Sequence, residues 1–179
     1  TIPTFESVET LKVLTADECS MYPSVCENYA TASAEKSKKG SKPIYFLTGG
    51  ETGALSAWKS TTASCLHKQQ MEGGAGEDGL LQILSFPSNA TAMGDGEEED
   101  EDSSLRDLLC VTSDQRLLLY SLEEETLQMT HQLVGSNGEV TDLCFVGEGQ
   151  NKVALATASE SIRILHTSSL QCSCTCVGH

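Results

Sequence analysis

Short apolar runs recur along the whole chain, each closed by a polar turn. Val8–Leu14 alternates apolar and polar positions. Ile44–Leu47, Ala54–Trp58 and Ser64–Lys68 follow, punctuated by Gly49-Gly50 and Ser60–Thr62. Leu80–Phe86 stands next. Leu108–Thr112, Arg116–Ser121 and Leu127–Leu133 form another group, and Val140–Val146, Val153–Thr157, Ile162–His166 and Gln171–Val177 form the last. Runs of this length, rich in aliphatic and β-branched residues and bounded by Gly, Ser, Asn and Asp, read as strands. No segment carries a convincing helical period. Leu117-Leu118-Leu119 is too short for a helix and sits between turn-like Ser113-Asp114-Gln115 and Glu123–Glu125.

Two stretches break the rhythm. Residues 16–41 are polar, with Pro23 and Gly40, and read as a loop insert. Residues 88–104, SNATAMGDGEEEDEDSS, combine dense like charge with few apolar side chains. Such a segment buries too little to repay its ordering entropy, so an acidic disordered insert is expected there.

The runs repeat. Leu55-Ser56-Ala57-Trp58-Lys59 aligns with Leu117-Leu118-Leu119-Tyr120-Ser121, and both align with Ile162-Arg163-Ile164-Leu165-His166. The anchors Trp58, Tyr120 and Leu165 are spaced by 62 and then 45 residues, and the first step also becomes 45 once the 17-residue acidic insert is removed. Gly135, Val140, Leu143 and Phe145 stand as G-x-x-x-x-V-x-x-L-x-F. Cys176-Val177-Gly178-His179 restates Leu133-Val134-Gly135-Ser136 after 43 residues. Four short strands at a fixed period of this size are the signature of β-propeller blades. A β-sandwich also has many short strands but no reason to repeat at a fixed interval.

These phrases resemble the WD40 repeat, whose pattern runs L-x-G-H-x-x-x-V-x-x-L-x-F, a turn with Asp, and a strand ending in Trp-Asp. Gly178-His179 is an intact Gly-His, while Ser136 replaces the His of the earlier copy. Asp114 lies six residues before Tyr120, at the turn Asp, and Ser159 takes that place before Leu165. Trp58 is the one Trp, and Lys59, Ser121 and His166 replace its Asp partner. The resemblance implies a buried polar network of His, Asp, Ser/Thr and Trp that is only partly present here. Looser blades, held by Leu55, Leu117, Leu119, Ile162 and Ile164, are therefore expected. The fold expected is all-β, a WD40 β-propeller segment over residues 1–179. It holds about three blades plus partial flanking strands in an incomplete ring. Since propellers close with four to eight blades, the chain is expected to be a piece of a longer protein.

The phrases Ile2–Glu9, Tyr45–Trp58 and Leu117–Tyr120 are similar to a WD40 subunit type of the small-subunit processome. That resemblance implies a nucleolar scaffold acting in early pre-rRNA processing toward 18S rRNA. Its partners would be the other WD40 subunits of its subcomplex, with pre-rRNA and small nucleolar RNA engaged indirectly through the assembly. A WD40 adaptor in another pathway, such as a ubiquitin-ligase substrate receptor, is the alternative, because fold alone does not select a function.

Composition narrows the picture further. The net charge is −15, and seven of the 26 acids lie in Asp95–Asp102, which disfavours direct phosphate binding. The one basic cluster is Lys36, Lys38, Lys39 and Lys42. No apolar run approaches a membrane span, and TIPTFESVET is neither a signal nor a transit sequence. The eight Cys, several at buried-looking strand positions, are read as free core thiols in a reducing compartment, and Asn89-Ala90-Thr91 as a chance sequon. Cys172, Cys174 and Cys176 share one face of a strand, but a flat strand does not wrap a tetrahedral metal, so no metal site is expected. His67, His131, His166 and His179 lack nucleophile partners at motif spacing. Gly73-Gly74-Ala75-Gly76 lacks the Lys-Ser/Thr of a phosphate loop. No catalytic residue, cofactor or small-molecule substrate is expected.

Overall fold

A computed structural model describes residues 6–15, 18–19, 43–71, 78–87, 106–123, 126–135 and 138–178. Almost all of the 16–41 insert, the 88–104 insert, Gly73–Gly76, the lysine cluster, Ser136 and His179 lie outside the described residues. Within them, three four-stranded antiparallel sheets form in chain order. The first holds β1 (Val8–Val13), β2 (Tyr45–Gly50), β3 (Ala54–Lys59) and β4 (Ser64–Gln70). The second holds β5 (Leu80–Pro87), β6 (Arg106–Thr112), β7 (Leu117–Glu123) and β8 (Thr126–Leu133). The third holds β9 (Val140–Phe145), β10 (Lys152–Thr157), β11 (Ser161–His166) and β12 (Cys172–Val177). Each sheet is a meander, and all twelve described strands are used in the three sheets.

The sheets stack face to face around two apolar cores. Tyr45, Leu47, Leu55 and Ala57 of the first sheet meet Leu80, Leu108, Cys110, Leu118 and Tyr120 of the second. Phe86, Leu109, Val111, Leu117 and Leu119 of the second meet Val140, Leu143, Val153, Leu155 and Leu165 of the third. The middle sheet is therefore buried on both faces. Side chains alternate along a strand, so Leu118 and Tyr120 enter one core while Leu117 and Leu119 enter the other. A strand with no solvent face reads as a continuous apolar run rather than an alternating one, which accounts for Leu117-Leu118-Leu119. Phe86 and Phe145 meet edge to face across the second core, with ring centroids 6.0 Å apart.

The repeat is written in the backbone as well as in the side chains. In each sheet the pairing of the first two strands slips once near the start of the first strand: at Val8/Thr10, at Leu80/Gln82, and opposite Ala156/Thr157. The third and fourth strands slip once immediately before the anchor residue, at Ala57/Trp58, Leu119/Tyr120 and Ile164/Leu165. A bulge bends a strand and increases its twist. Trp58, Tyr120 and Leu165 thus mark equivalent bends in three copies of one unit. A hydrogen bond recurs too: the N–H groups of Glu51, Ser113 and Ala158 donate to the carbonyls of Ser7, Gly79 and Glu139 at 3.1, 2.8 and 2.8 Å.

The turn between the second and third strands is the same each time. At one matching position it adopts a left-handed conformation: Gly53 (φ 74°), Gln115 (φ 67°) and Glu160 (φ 58°). Only the first copy has the glycine that this conformation favours. Glu160 is exposed, so Glu160→Gly is expected to stabilise the chain by about 0.5–1 kcal/mol. A rise in the urea midpoint without a change in slope would show it.

Two local readings are corrected. Gly49 and Gly50 lie inside β2 rather than between strands. Gly49 faces the second sheet, where a Cβ would sit 2.6 Å from that of Leu80; the glycine admits the neighbouring sheet rather than ending a strand. A helical turn also stands at Glu18–Cys19, at the start of the stretch expected to be loop. The Thr15 N–H donates to Glu18 Oε2 at 2.7 Å and the Glu18 N–H donates to Thr15 Oγ1 at 3.3 Å. This reciprocal capping box fixes the turn and carries the buried Cys19 into the first core.

Candidate functional site

Six of the seven expected repeat positions lie among the described residues, and His179 does not. Trp58, Tyr120 and Leu165 are buried in β3, β7 and β11. Asp114 stands in the turn between β6 and β7. Gly135 and Gly178 follow β8 and β12 with φ of 84° and 119°, so both copies of the glycine use a conformation that other residues rarely adopt.

The polar marks make one partial network per sheet. In the first sheet the Trp58 indole N–H donates to Thr48 Oγ1 at 2.9 Å, buried from solvent. Glu6 accepts from Thr52 Oγ1 in the turn between β2 and β3 and pairs with Lys68 at 3.3 Å. In the second, Thr112 Oγ1 donates to Asp114, and the Arg116 guanidinium pairs with both Asp114 and Asp78. Burial raises the Asp114 carboxyl, but the bonds from Thr112 and Arg116 outweigh it and hold the group below its ordinary value. In the third, Thr157, Ser159 and Ser161 pass hydroxyl contacts along the turn at 2.7 and 3.0 Å. Thr112 and Thr157 occupy the same repeat position, as do Asp114 and Ser159.

Side-chain amides tie neighbouring sheets together. Gln69, on β4, donates to the Leu127 carbonyl at 2.8 Å and accepts from the Leu127 N–H at 3.2 Å. Gln115 Oε1 accepts the Val140 N–H at 2.6 Å, and Gln82 donates to the Thr141 carbonyl at 3.4 Å. Gln69→Ala leaves both Leu127 groups, at a partly buried seam, without this partner. It is expected to cost about 1–2 kcal/mol in chemical denaturation. Gln69→Glu, which can accept but not donate, should recover only part of the loss.

These groups hold the scaffold, and none converges on a reacting centre. Among the described residues no group of three or more His, Cys, Asp or Glu is placed to hold a metal ion. His67, His131 and His166 lie on β4, β8 and β11 of three different sheets. The seven described cysteines are free thiols. Cys19 and Cys110 are buried, and burial pushes the Cys110 thiol up to about 12, which makes it unreactive. The other five are exposed, contrary to the expectation that several strand cysteines sit in the core. Cys174 and Cys176 lie 3.9 Å apart at their sulfurs.

Glu18 was hidden from sequence reasoning. It is buried, and its carboxyl pairs with Lys12 at 3.2 Å. Burial raises its pKa, while the Thr15 N–H and Lys12 lower it further than that. The signal that finds it is the Thr15-x-x-Glu18 spacing of a capping box.

Comparison with known proteins bears on the family. Over 173 residues, 96% of its length, the chain is 31% identical to transducin beta-like protein 3 of Rattus norvegicus. It is 26% identical over 172 residues to the Homo sapiens protein of that name. Over 105 residues, 51% of the chain, it is 31% identical to U3 small nucleolar RNA-associated protein 13 of Saccharomyces cerevisiae. Among solved structures, the RRP9 WD40 repeats share the fold with a TM-score of 0.57, over 99% of this chain and 40% of that one, at 13% identity. The chain is a WD40-repeat protein. It is related to transducin beta-like protein 3, and its three sheets are WD40 blades that do not close into a ring. No family model matches it. The chain spans 17% of the length of the transducin beta-like proteins and 13% of the yeast protein.

Proposed function

We propose that the chain is part of a non-catalytic WD40 scaffold of the small-subunit processome, supporting pre-rRNA processing and 18S rRNA maturation through protein–protein contacts. The observation that carries this reading is the match along 96% of the chain to transducin beta-like protein 3. The yeast relative, named for association with U3 small nucleolar RNA, adds to it. The geometry suits the role. Rigid stacked sheets carry short polar turns at their ends, and loops on a rigid frame are where contacts are made. Partners are the other WD40 subunits of the subcomplex. Pre-rRNA and small nucleolar RNA are held by the assembly rather than by this acidic chain, and the protein resides in the nucleolus.

Affinity capture of the tagged full-length protein, with sequencing of the bound RNA, tests this. Recovery of pre-ribosomal WD40 proteins and U3 RNA is the expected result. Recovery of cytosolic signalling or ubiquitin-ligase components without U3 would overturn it.

A further inference from the structure

The face of the third sheet that carries Ile162 and Ile164 belongs to neither core, and it holds a pair of thiols at its rim. Cys174 and Cys176 of β12 pair with Ile164 and Ile162, and both are exposed. Side chains two apart on a strand share a face, and here the two sulfurs stand 3.9 Å apart. Cys172 does not join them. The slip between Ile164 and Leu165 sets Cys172 opposite Leu165, on the other face, where its sulfur lies 3.6 Å from Thr175 Oγ1. Regular alternation would line up all three thiols. The extra residue, Ser173, breaks it and leaves a pair and a single.

The repeat shows that the pair stays at the surface when a sheet stacks on its face. His67 and His131 occupy the position of Cys174: they pair with Ala57 and Leu119, as Cys174 pairs with Ile164. Ala57 lies in the first core and Leu119 in the second, so a neighbouring sheet covers those faces. Yet His67 is only half-buried and His131 is exposed. Gln69 and Leu133, at the position of Cys176, are half-buried. The fourth strand is an edge of each sheet, and stacking buries the second and third strands more than the fourth.

The geometry suits chemistry between the two sulfurs. Two residues of strand span about 6.4–6.8 Å, within the Cα separations of about 4.4–6.8 Å that a disulfide bridges. Closing the bond therefore asks for side-chain rotation and little movement of the backbone. The contact with Cys176, more than desolvation, raises the Cys174 pKa, and Lys152 opposes the shift. Cys174 thus keeps its proton beside the neighbouring sulfur, which suits the second thiol to react.

We propose that Cys174 and Cys176 are an oxidative modification site, converted to a disulfide by a peroxide. The Cys176 sulfur attacks one oxygen of hydrogen peroxide. The O–O bond breaks, the leaving hydroxide takes the thiol proton as water, and Cys176 becomes a sulfenic acid. The Cys174 sulfur then displaces that hydroxyl, which leaves with the Cys174 proton as a second water. Two electrons pass from the two sulfurs to the peroxide, and a thiol reductant reverses the bond. The proposal does not rest on the processome reading, so failure of one leaves the other standing.

Oxidation of the reduced, native full-length protein with hydrogen peroxide tests it. The remaining thiols are blocked with N-ethylmaleimide, and the peptide spanning β12 is read by mass spectrometry. Cys174 and Cys176 should disappear from labelling together, as one disulfide within the peptide that dithiothreitol reverses, about tenfold faster than the exposed Cys172 is oxidised. In Cys174→Ser, Cys176 should stop at a sulfenic acid that dimedone traps, while Cys172→Ser should leave bond formation unchanged. Persistence of both thiols, or their loss at a rate within about twofold of that of Cys172, would overturn the proposal. So would sulfinic acid in place of the disulfide, or a bond to Cys172. Disulfide-linked dimers as the main product would overturn it as well, because the second sulfur would then come from another copy.

Discussion

Truncating Leu118 to alanine is expected to cost about 2–5 kcal/mol of stability, and truncating its neighbour Leu119 a similar amount. In an ordinary half-buried strand one of two adjacent residues faces water and is tolerant. Here Leu118 lies in the core between the first and second sheets and Leu119 in the core between the second and third. Each truncation therefore leaves a cavity, in a different place. Ile164 occupies the repeat position of Leu119 but lies on the open face of the third sheet, half-buried. In the 179-residue chain its truncation is expected to cost only about 1 kcal/mol, because little apolar area is lost from contact. Urea unfolding of the three single variants reads this directly. If either Leu118→Ala or Leu119→Ala proved neutral, the stacking order described above would be wrong.

Gly49→Val is expected to be the most damaging single substitution outside the leucine cores. A Cβ at Gly49 meets Leu80 Cβ at 2.6 Å, Thr10 Cγ2 at 2.8 Å and the Leu80 carbonyl at 3.2 Å. Two of these contacts belong to the neighbouring sheet, one of them backbone, so relief requires the first and second sheets to separate. Overpacking of this kind costs about 1–3 kcal/mol. Gly49→Ala already places the first clashing atom and should fall at the low end of that range. Thermal unfolding would show the ordering, with Val below Ala below the native chain. Equal stability of all three would contradict the close approach at this junction.

Much of the fold was legible in the sequence because each strand must show its burial as a pattern. The twelve apolar runs are the twelve strands, and the register of Trp58, Tyr120 and Leu165 located the repeat before any geometry was available. The unbroken Leu117–Tyr120 run, read as too short for a helix, is the mark of a sheet covered on both faces. Less legible was anything carried by backbone geometry. The paired bulges before each anchor depend on register, which composition does not encode. Gly49 looked like a breaker because a glycine that admits a neighbour and a glycine that ends a strand are the same letter. Ile162 and Ile164 looked like core positions and face the open side, since an apolar face shows in sequence whether or not its partner is at hand.

The polar residues were harder still. Trp58 and Asp114 were found through the repeat, but their bonds to Thr48 and Arg116 were not. Those partners lie ten residues back for Trp58 and two ahead for Asp114, at spacings that only the folded hairpin brings together. Gln69 reaches Leu127 across 58 residues of chain and leaves no local trace. The proposed function rests on resemblance alone. A scaffold needs stable faces and turns rather than a convergent set of titratable groups, so its sequence carries no chemical motif to read.

Depletion of the full-length protein in cells, with rescue by the native gene and measurement of rRNA precursors, tests the scaffold role most directly. Loss of 18S rRNA relative to the large-subunit rRNA, with accumulation of early unprocessed precursors, is the result predicted. Unchanged 18S rRNA, or an equal fall in both subunits' rRNA, would contradict it.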